Sequence, residues 1–258
     1  MKGRLFIATL LFLIFISEGM ALATVNIETI RSEKDVEGFS SSLSLKLGYI
    51  EGNSNIRNAE TKLRSDYLAG ERHFFLAASH KRGEKDEERY LDKGFAHLRL
   101  INRFSGSLSG ELFLQKEYNE FTLLEDRQLA GTGVRIALLQ DEEEQSSGAG
   151  IYLGIGLMWE KEVLDLSPDE ETKIYRSTNY ISCRMKASET TTLAATAYYQ
   201  PDLDDSSDYR VLFDGTLAFK ITDSLAFTFD INYRFDNEPP AGIKKYDTEI
   251  TNGISLSF

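Results

Sequence analysis

Three histidines could act as general bases in this 258-residue chain, namely His73, His80 and His97. A serine hydrolase needs a histidine within hydrogen-bond reach of its serine hydroxyl. One arrangement that meets this need places both residues on one strand as His-x-Ser. The residues two positions after the histidines are Phe75, Arg82 and Arg99. The motif is therefore absent, and we expect that the protein is not an enzyme.

His80 keeps one catalytic alternative open. It lies toward the end of its segment that adjoins a long loop, whereas His73 adjoins a short turn. A partner for His80 would have to come from a neighbouring strand, where Asn58 is conceivable and no obvious serine is present. A lipid hydrolase of the outer membrane is therefore the alternative function.

Clustered aspartates could offer oxygen ligands to a divalent cation, and the cluster comprises Asp202, Asp204, Asp205 and Asp208. A calcium loop of the EF-hand type requires glycine at its sixth position and a bidentate glutamate at its twelfth. Counted from Asp202, Ser207 and Phe213 occupy those positions. We predict no metal site and no cofactor. Loose cation binding by such acidic loops, or their use as the surface of an adhesin or receptor, stays a hypothesis.

Charged residues of both signs recur at every second position within apolar segments. Alternate side chains of an extended strand point to the same face of a sheet. We expect this face to line a lumen, where the charges either set ion selectivity or pair with one another and close the path. The main predicted lumen residues are Lys46, Glu60, Lys62, Arg64, Asp66, Arg99, Arg176, Arg184, Lys186 and Arg234. The same alternation places Lys93, Glu111, Glu117, Glu160, Arg210, Asp214, Lys220, Asp230 and Glu249 on this face.

Twelve segments with a period of two must position these charges. No segment shows a sustained 3.6-residue apolar stripe, and all four prolines lie in or beside candidate loops, as strand interiors require. The sequence predicts an all-β fold. The predicted strands are 39–50, 56–69, 72–82, 89–102, 107–119, 127–139, 149–162, 173–187, 191–201, 208–220, 224–236 and 245–258.

The connections between these segments alternate in length. They are tight after strands 2, 4, 8 and 10 and mostly longer and acidic after the odd-numbered strands, with "DEEEQSSG" after strand 6 as the exception. This alternation is typical of an up-and-down antiparallel transmembrane β-barrel. An even number of strands places both termini on one side, which in such barrels is the periplasm.

The first 23 residues have the form of a secretory signal peptide. Lys2 and Arg4 precede an uncharged apolar stretch, and Ala21-Leu22-Ala23 forms a cleavage site of small residues. We therefore divide the chain into a signal peptide at 1–23, cleaved after Ala23, a short periplasmic segment at 24–38 and a barrel at 39–258. The formal net charge of −12 argues against a nucleic-acid partner.

A soluble lipocalin-like barrel would also show alternation, but with its apolar side facing inward. Here the apolar residues are spread evenly around about twelve strands, which is far more surface than a ligand cavity requires. Aromatic residues lie near the segment ends, as expected at membrane interfaces. We therefore predict an outer-membrane location, with lipid and lipopolysaccharide as partners.

The chain ends with "NGISLSF", in which Ile254, Leu256 and Phe258 alternate with small polar residues. A barrel in lipid must leave no strand edge unpaired. We therefore expect this closing strand to pair with the first strand near 40–48. A last strand ending in Phe258 looks like the signal that the barrel-assembly machinery reads in outer-membrane barrels.

The stretches "LGYIEGNSN", "YYQPDLDDSSDYR" and "ITDSLAFTFDINYRFDNEPPAGIKKYDTEITNGISLSF" resemble the domain of unknown function 481 family, described as salt-induced outer-membrane proteins. The resemblance covers nearly the whole chain after the signal peptide. It implies an outer-membrane β-barrel without agreed catalytic residues. We expect a narrow pore for small solutes or ions, or a structural component of the envelope.

Overall fold

The structure, a computed structural model, describes residues 37–140, 149–222 and 225–256. It contains one antiparallel sheet in which every strand pairs with the next along the chain. This confirms the predicted all-β, up-and-down architecture with twelve strands. The strands are β1 (Gly38–Ile50), β2 (Ile56–Ala69), β3 (Arg72–Lys85), β4 (Glu88–Arg103), β5 (Leu108–Asn119), β6 (Leu124–Gln140), β7 (Gly150–Leu164), β8 (Glu170–Lys186), β9 (Thr191–Pro201), β10 (Tyr209–Lys220), β11 (Leu225–Asp236) and β12 (Tyr246–Leu256).

Two of the predicted features lie outside the described residues. They are the signal peptide, with nearly all of the 24–38 segment, and Phe258. No helix in the described ranges is long and apolar enough to cross a membrane. The one short helix, a 3-10 turn at Glu120–Thr122, joins β5 to β6.

The prediction of a long acidic loop after the third strand is wrong. β3 and β4 continue through most of it and are joined by Asp86 and Glu87 alone, both with positive φ. Lys85 and Glu88 lie opposite each other in the ladder, and opposite charges in such a pair stabilise a hairpin. Alternating charges therefore extend the strands instead of forming a loop.

The sheet is apolar on its outside and polar on its inside. Exposed large hydrophobic residues alternate along the strands, as Leu43, Leu45 and Leu47 do on β1. Among the described residues, buried polar and charged side chains outnumber buried hydrophobic ones. Soluble proteins show the reverse, because charged side chains are almost never fully buried unless they are paired. The sheet curls around this polar side, since Arg210 on β10 contacts Glu160 on β7.

The outer wall is layered near the ends of β5–β8. Trp159 and Tyr175 are register partners on this wall. Two residues farther toward the connecting loops, a register row crosses these four strands through a lysine on β5, Gln128, and lysines on β7 and β8. We name these lysines the outer lysine row, which consists of Lys116, Lys161 and Lys173. Carboxylates pair with them, Asp126 with the first and Glu171 with the other two.

Two facing glycines allow β6 and β7 to bend tightly. Gly133 and Gly156 are register partners on the inner face. A Cβ atom at Gly156 would lie 2.6 Å from the carbonyl oxygen of Thr132, and one at Gly133 would lie 2.8 Å from that of Ile155. Only glycine fits such an approach to a neighbouring backbone.

Within the described residues, no ladder joins β12 to β1, so the pairing expected near 40–48 is not seen. All residues of β1 are exposed, including its inward-facing positions. Ser40, Ser42 and Ser44 occupy three of those positions, and β12 presents Thr251 and Gly253 on the same face. Such short side chains reach no opposite wall, so side-chain packing contributes little to holding β1 in place there.

Candidate functional site

Three buried arginines hold together one half of the barrel interior, near the ends of the strands that adjoin the 202–208 and 237–245 loops. Arg127 donates from Nη1 to Oε1 of Glu117 at 2.8 Å and from Nε to Oε2 of Glu162 at 2.7 Å. Arg210 donates to the same Oε2 of Glu162 at 3.1 Å. Glu162 therefore links β6 to β10 across the interior. We call the connected set the arginine network; it consists of Arg127, Arg176, Arg210, Glu117, Glu160, Glu162, Asp208 and Asp236.

Arg210 is the centre of this network. It also donates to Oε2 of Glu160 at 2.7 Å and to Oδ2 of Asp236 at 2.8 Å. Arg176 completes the network: it donates to Oε1 of Glu160 at 3.2 Å and makes a bidentate contact with Asp208 at 3.0 and 2.8 Å. The contact to Asp208 ties the loop between β9 and β10 to the barrel wall.

The network is almost sealed from solvent, with the side chains of Arg176 and Glu160 each only 2% exposed. Charges can be buried in this way only when they are paired and hydrogen-bonded. Removing one partner of such a pair leaves an uncompensated charge, which is strongly destabilising. The network therefore both braces the wall and fills this part of the lumen.

Polar contacts continue from the network toward the middle of the barrel. Gln115 donates to Oε2 of Glu117 at 3.1 Å, and the ring Nδ1 of His97 lies 2.9 Å from Oε1 of Gln115. Arg99 then contacts His97 at 3.3 Å and donates to Glu111 at 3.0 Å. His97 is thus held by an amide and a guanidinium in the interior, an arrangement suited to structural support.

A cavity of about 40 Å³ lies beside this chain of contacts, which is room for a few water molecules. Its walls combine His97, Gln115 and Thr178 with Met158 and Leu212. The cavity is polar enough to hold water, but it is too small for a solute larger than a few water molecules. It extends the buried half of the interior.

The other half of the interior is lined by β1–β4 and is basic. Glu60 lies 2.9 Å from Lys62, 3.5 Å from Lys81 and 3.8 Å from Lys46. Lys93 on β4 is the register partner of Lys81. We call these four lysines the lysine wall. The side chains of Lys46 and Lys62 are 70% and 53% exposed, in contrast to the sealed arginine network.

β11 and β12 face the lysine wall with mainly acidic side chains. Arg234 pairs with Asp214 at 2.8 Å, and Asp247 and Glu249 occupy inward positions on β12. Both carboxylates act electrostatically on Lys93 from this side. The accessible half of the lumen therefore has a basic wall and an opposing acidic one.

The main predicted lumen residues fall into three groups on the inner face. Lys46 and Lys62 belong to the lysine wall and Glu60 is its carboxylate, and Arg64 pairs with Asp66 beside it. Arg99 and Arg176 belong to the buried contacts of the other half, together with Arg234, which pairs with Asp214 opposite the lysine wall. Arg184 and Lys186 are exposed near the short-turn end of β8. The structure brings the first two groups into one interior and leaves the last pair apart.

Sequence reasoning missed several interior charges because they lie next to strand ends or bulges. The register shifts between Gly83 and Glu84, and again where β6 begins, so simple alternation fails there. One signal in the sequence could have identified them: residues of opposite charge that lie at matching distances from the ends of two strands. The missed residues are Lys81, Arg127, Glu162, Asp208 and Asp236.

His80, Asp204 and Asp205 lie away from this interior, whereas Asp202 is buried and bridges to β8 at Arg176, and Asp208 belongs to the arginine network. His80 is 3.4 Å from Asp92 on the outer wall. In the loop after β9, the hydroxyl and backbone N–H of Ser207 donate to Asp205 and hold the pKa of that carboxyl below its ordinary value. The described residues contain no group of three or more His, Cys, Asp or Glu side chains that could hold a metal ion.

Comparison with known proteins gives one family and a set of distant structural neighbours. A NanC porin has a TM-score of 0.47 at 11% identity, covering 84% of this chain and 100% of its own. A KdgM porin has a TM-score of 0.41 at 11% identity, covering 85% and 99%. Another porin has a TM-score of 0.37 at 13% identity, covering 77% and 62%. No curated protein sequence matches significantly.

The family match covers most of the chain. The model described as "Protein of unknown function, DUF481" matches residues 44–258, a range that includes every strand and both halves of the charged interior except the beginning of β1. It therefore agrees with the resemblance found in the sequence. The chain belongs to the DUF481 family.

Proposed function

We propose that the protein is an outer-membrane barrel with both termini in the periplasm. The exposed apolar outer wall supports this, because lipid is the environment in which such a surface is stable. Trp159 and Tyr175, with the outer lysine row just beyond them, form the aromatic and basic layers that suit an interface. The longer loops then face outward.

Fractionation tests this location. The protein is expected in the outer-membrane fraction, with Thr24 as the first residue of the mature chain, because the apolar stretch before Ala23 is a cleavable export signal. Mass spectrometry of the purified mature protein measures the N-terminus. Recovery in the inner membrane with the first 23 residues still attached would contradict both parts of the proposal.

We further propose that the barrel is a narrow pore whose path runs off-centre along the lysine wall. One observation supports this above all: the inner face is divided into a sealed half and an accessible half. The arginine network fills the first, whereas Lys46, Lys62 and the facing carboxylates of β12 line the second. Charged rows of this kind set the selectivity of pores.

Conductance in planar bilayers tests the pore. We expect small, discrete openings, since the buried arginine network fills part of the lumen and a twelve-stranded barrel is narrower than the wide porins. Protein heated to unfold it before insertion is the control and is expected to give no steps. Absence of openings from the native protein at every voltage and salt concentration would exclude the pore.

A structural envelope barrel is the second candidate, and the arginine network favours it. In that case the same buried ion pairs would close the lumen completely, and the conductance experiment separates the two functions. The hydrolase alternative requires a serine hydroxyl beside a histidine ring. It gains no support from the described contacts, in which the rings of His73, His80 and His97 lie against Asp66, Asp92 and Gln115.

A further inference from the structure

We propose that the lysine wall is a binding site for small solutes that carry two or more negative charges on oxygen atoms, such as phosphate or a polycarboxylate. This inference rests on the proposed pore, because it names the solute class that the accessible half of the lumen would select. It is argued from the register, the charge balance and the facing wall.

The register places the charges in one row. Lys46 is opposite Glu60, Glu60 opposite Lys81, and Lys81 opposite Lys93, so the row crosses β1 to β4 on the inner face. Neighbouring strands are about 4.8 Å apart, and the row therefore spans about 14 Å. Lys62 adds a fourth ammonium group from the next inward position on β2.

The charges in this row do not balance. Glu60 is the carboxylate that Lys46, Lys62 and Lys81 share, at distances of 2.9 to 3.8 Å. Lys93 makes no ion pair with any of the described residues. Its register partner is another lysine, and like charges directly opposite each other destabilise a strand pair. Three ammonium groups thus share one carboxylate and a fourth has no ion-pair partner among the described side chains, and a bound anion would offset the excess positive charge.

The facing wall limits which anion fits. Asp247 and Glu249 on β12 attract the Lys93 ammonium group electrostatically and Arg234 on β11 repels it, but no carboxylate of β12 lies within ion-pair distance of it in the described chain. A singly charged anion would gain little beyond what these carboxylates already provide. Lysines on neighbouring strands about 4.8 Å apart suit a ligand whose several oxygens can each accept a charge-assisted hydrogen bond.

The experiment compares two triple variants with the same charge change. Lys62→Gln/Lys81→Gln/Lys93→Gln removes charge from the lysine wall, and Lys116→Gln/Lys161→Gln/Lys173→Gln removes it from the outer lysine row. Titration calorimetry with inorganic phosphate measures binding to each folded protein. Reversal potentials in a potassium chloride gradient measure the selectivity of the pore.

We expect the wild type to bind phosphate and to prefer anions. The lysine-wall variant should bind phosphate about tenfold more weakly or worse, and its reversal potential should move toward cation preference. The outer-row variant should behave as the wild type. The single variant Lys93→Gln, which keeps the other wall lysines, should show the same direction of change if the triple variant fails to fold.

The two proposals fail in different ways. Phosphate binding without any conductance would overturn the pore and leave the anion site standing. Conductance with unchanged phosphate affinity and selectivity in the lysine-wall variant would overturn the anion site. Equal loss of binding in both triple variants would also overturn it, because net charge alone would then explain the result.

Discussion

Replacing Arg210 with methionine is expected to lower the free energy of unfolding by about 3–5 kcal/mol, the usual cost of removing one partner from a buried ion pair. Methionine keeps most of the volume and removes the charge. Glu160 and Glu162 keep Arg176 and Arg127 as partners, whereas Asp236 loses the guanidinium that lies 2.8 Å away. Excess negative charge would therefore remain in a sealed space.

Reversible denaturant unfolding in lipid vesicles measures this change, with the fluorescence of Trp159, the single tryptophan, as the signal. Arg57→Met is the matched control, because Arg57 is exposed on β2 and such a surface change usually alters stability by less than about 0.5 kcal/mol. Adding Asp236→Asn to Arg210→Met should recover part of the loss. Equal stability of Arg210→Met and Arg57→Met would show that the network does not brace the barrel.

The second large effect is expected from Gly156→Val, which should lower the free energy of unfolding by about 1–3 kcal/mol or more through overpacking. The new Cβ would meet the carbonyl oxygen of Thr132 at 2.6 Å and the Cα of Gly133 at 3.2 Å. Both are backbone atoms, so no side-chain rotation relieves the contact. β6 and β7 would have to separate or flatten.

Gly253→Val is the control for this substitution. Gly253 also lies on the inner face of a strand, but a Cβ there would meet only Oγ1 of Thr228, at an ordinary 3.7 Å. The same unfolding assay should therefore find Gly253→Val close to the wild type. If Gly156→Val were as stable as Gly253→Val, the close approach of β6 and β7 would not be a real constraint.

The sequence alone predicted the strands because each has two chemically unlike faces. In β1, leucines alternate with serines and a lysine. A one-residue error in the register would move all the leucines to the inner face and all the polar residues to the outer face. The predicted inner charges were assigned by this alternation alone. The signal weakens in β6, where Leu129, Gly131 and Gly133 occupy inward positions and so blur the contrast between the faces.

Pairing across the lumen could not be predicted. Which arginine meets which carboxylate depends on the curvature of the sheet and on strand stagger, and neither leaves a periodic trace in the sequence. Arg210 and Glu162 are 48 residues apart and belong to strands that are not neighbours. The division into a sealed and an accessible half, on which the proposed function depends, is therefore a result of the structure.

The sparse side-chain packing on the inner face of β1 has a mechanical consequence. β6–β8 are interlocked by facing glycines and buried ion pairs, whereas β1 offers the interior short serine side chains and the mostly exposed Lys46. A pulling force on the N-terminal end would therefore peel away the β1–β2 hairpin first, at low force. The arginine network would yield last, and a force-extension trace would show its rupture as the highest peak.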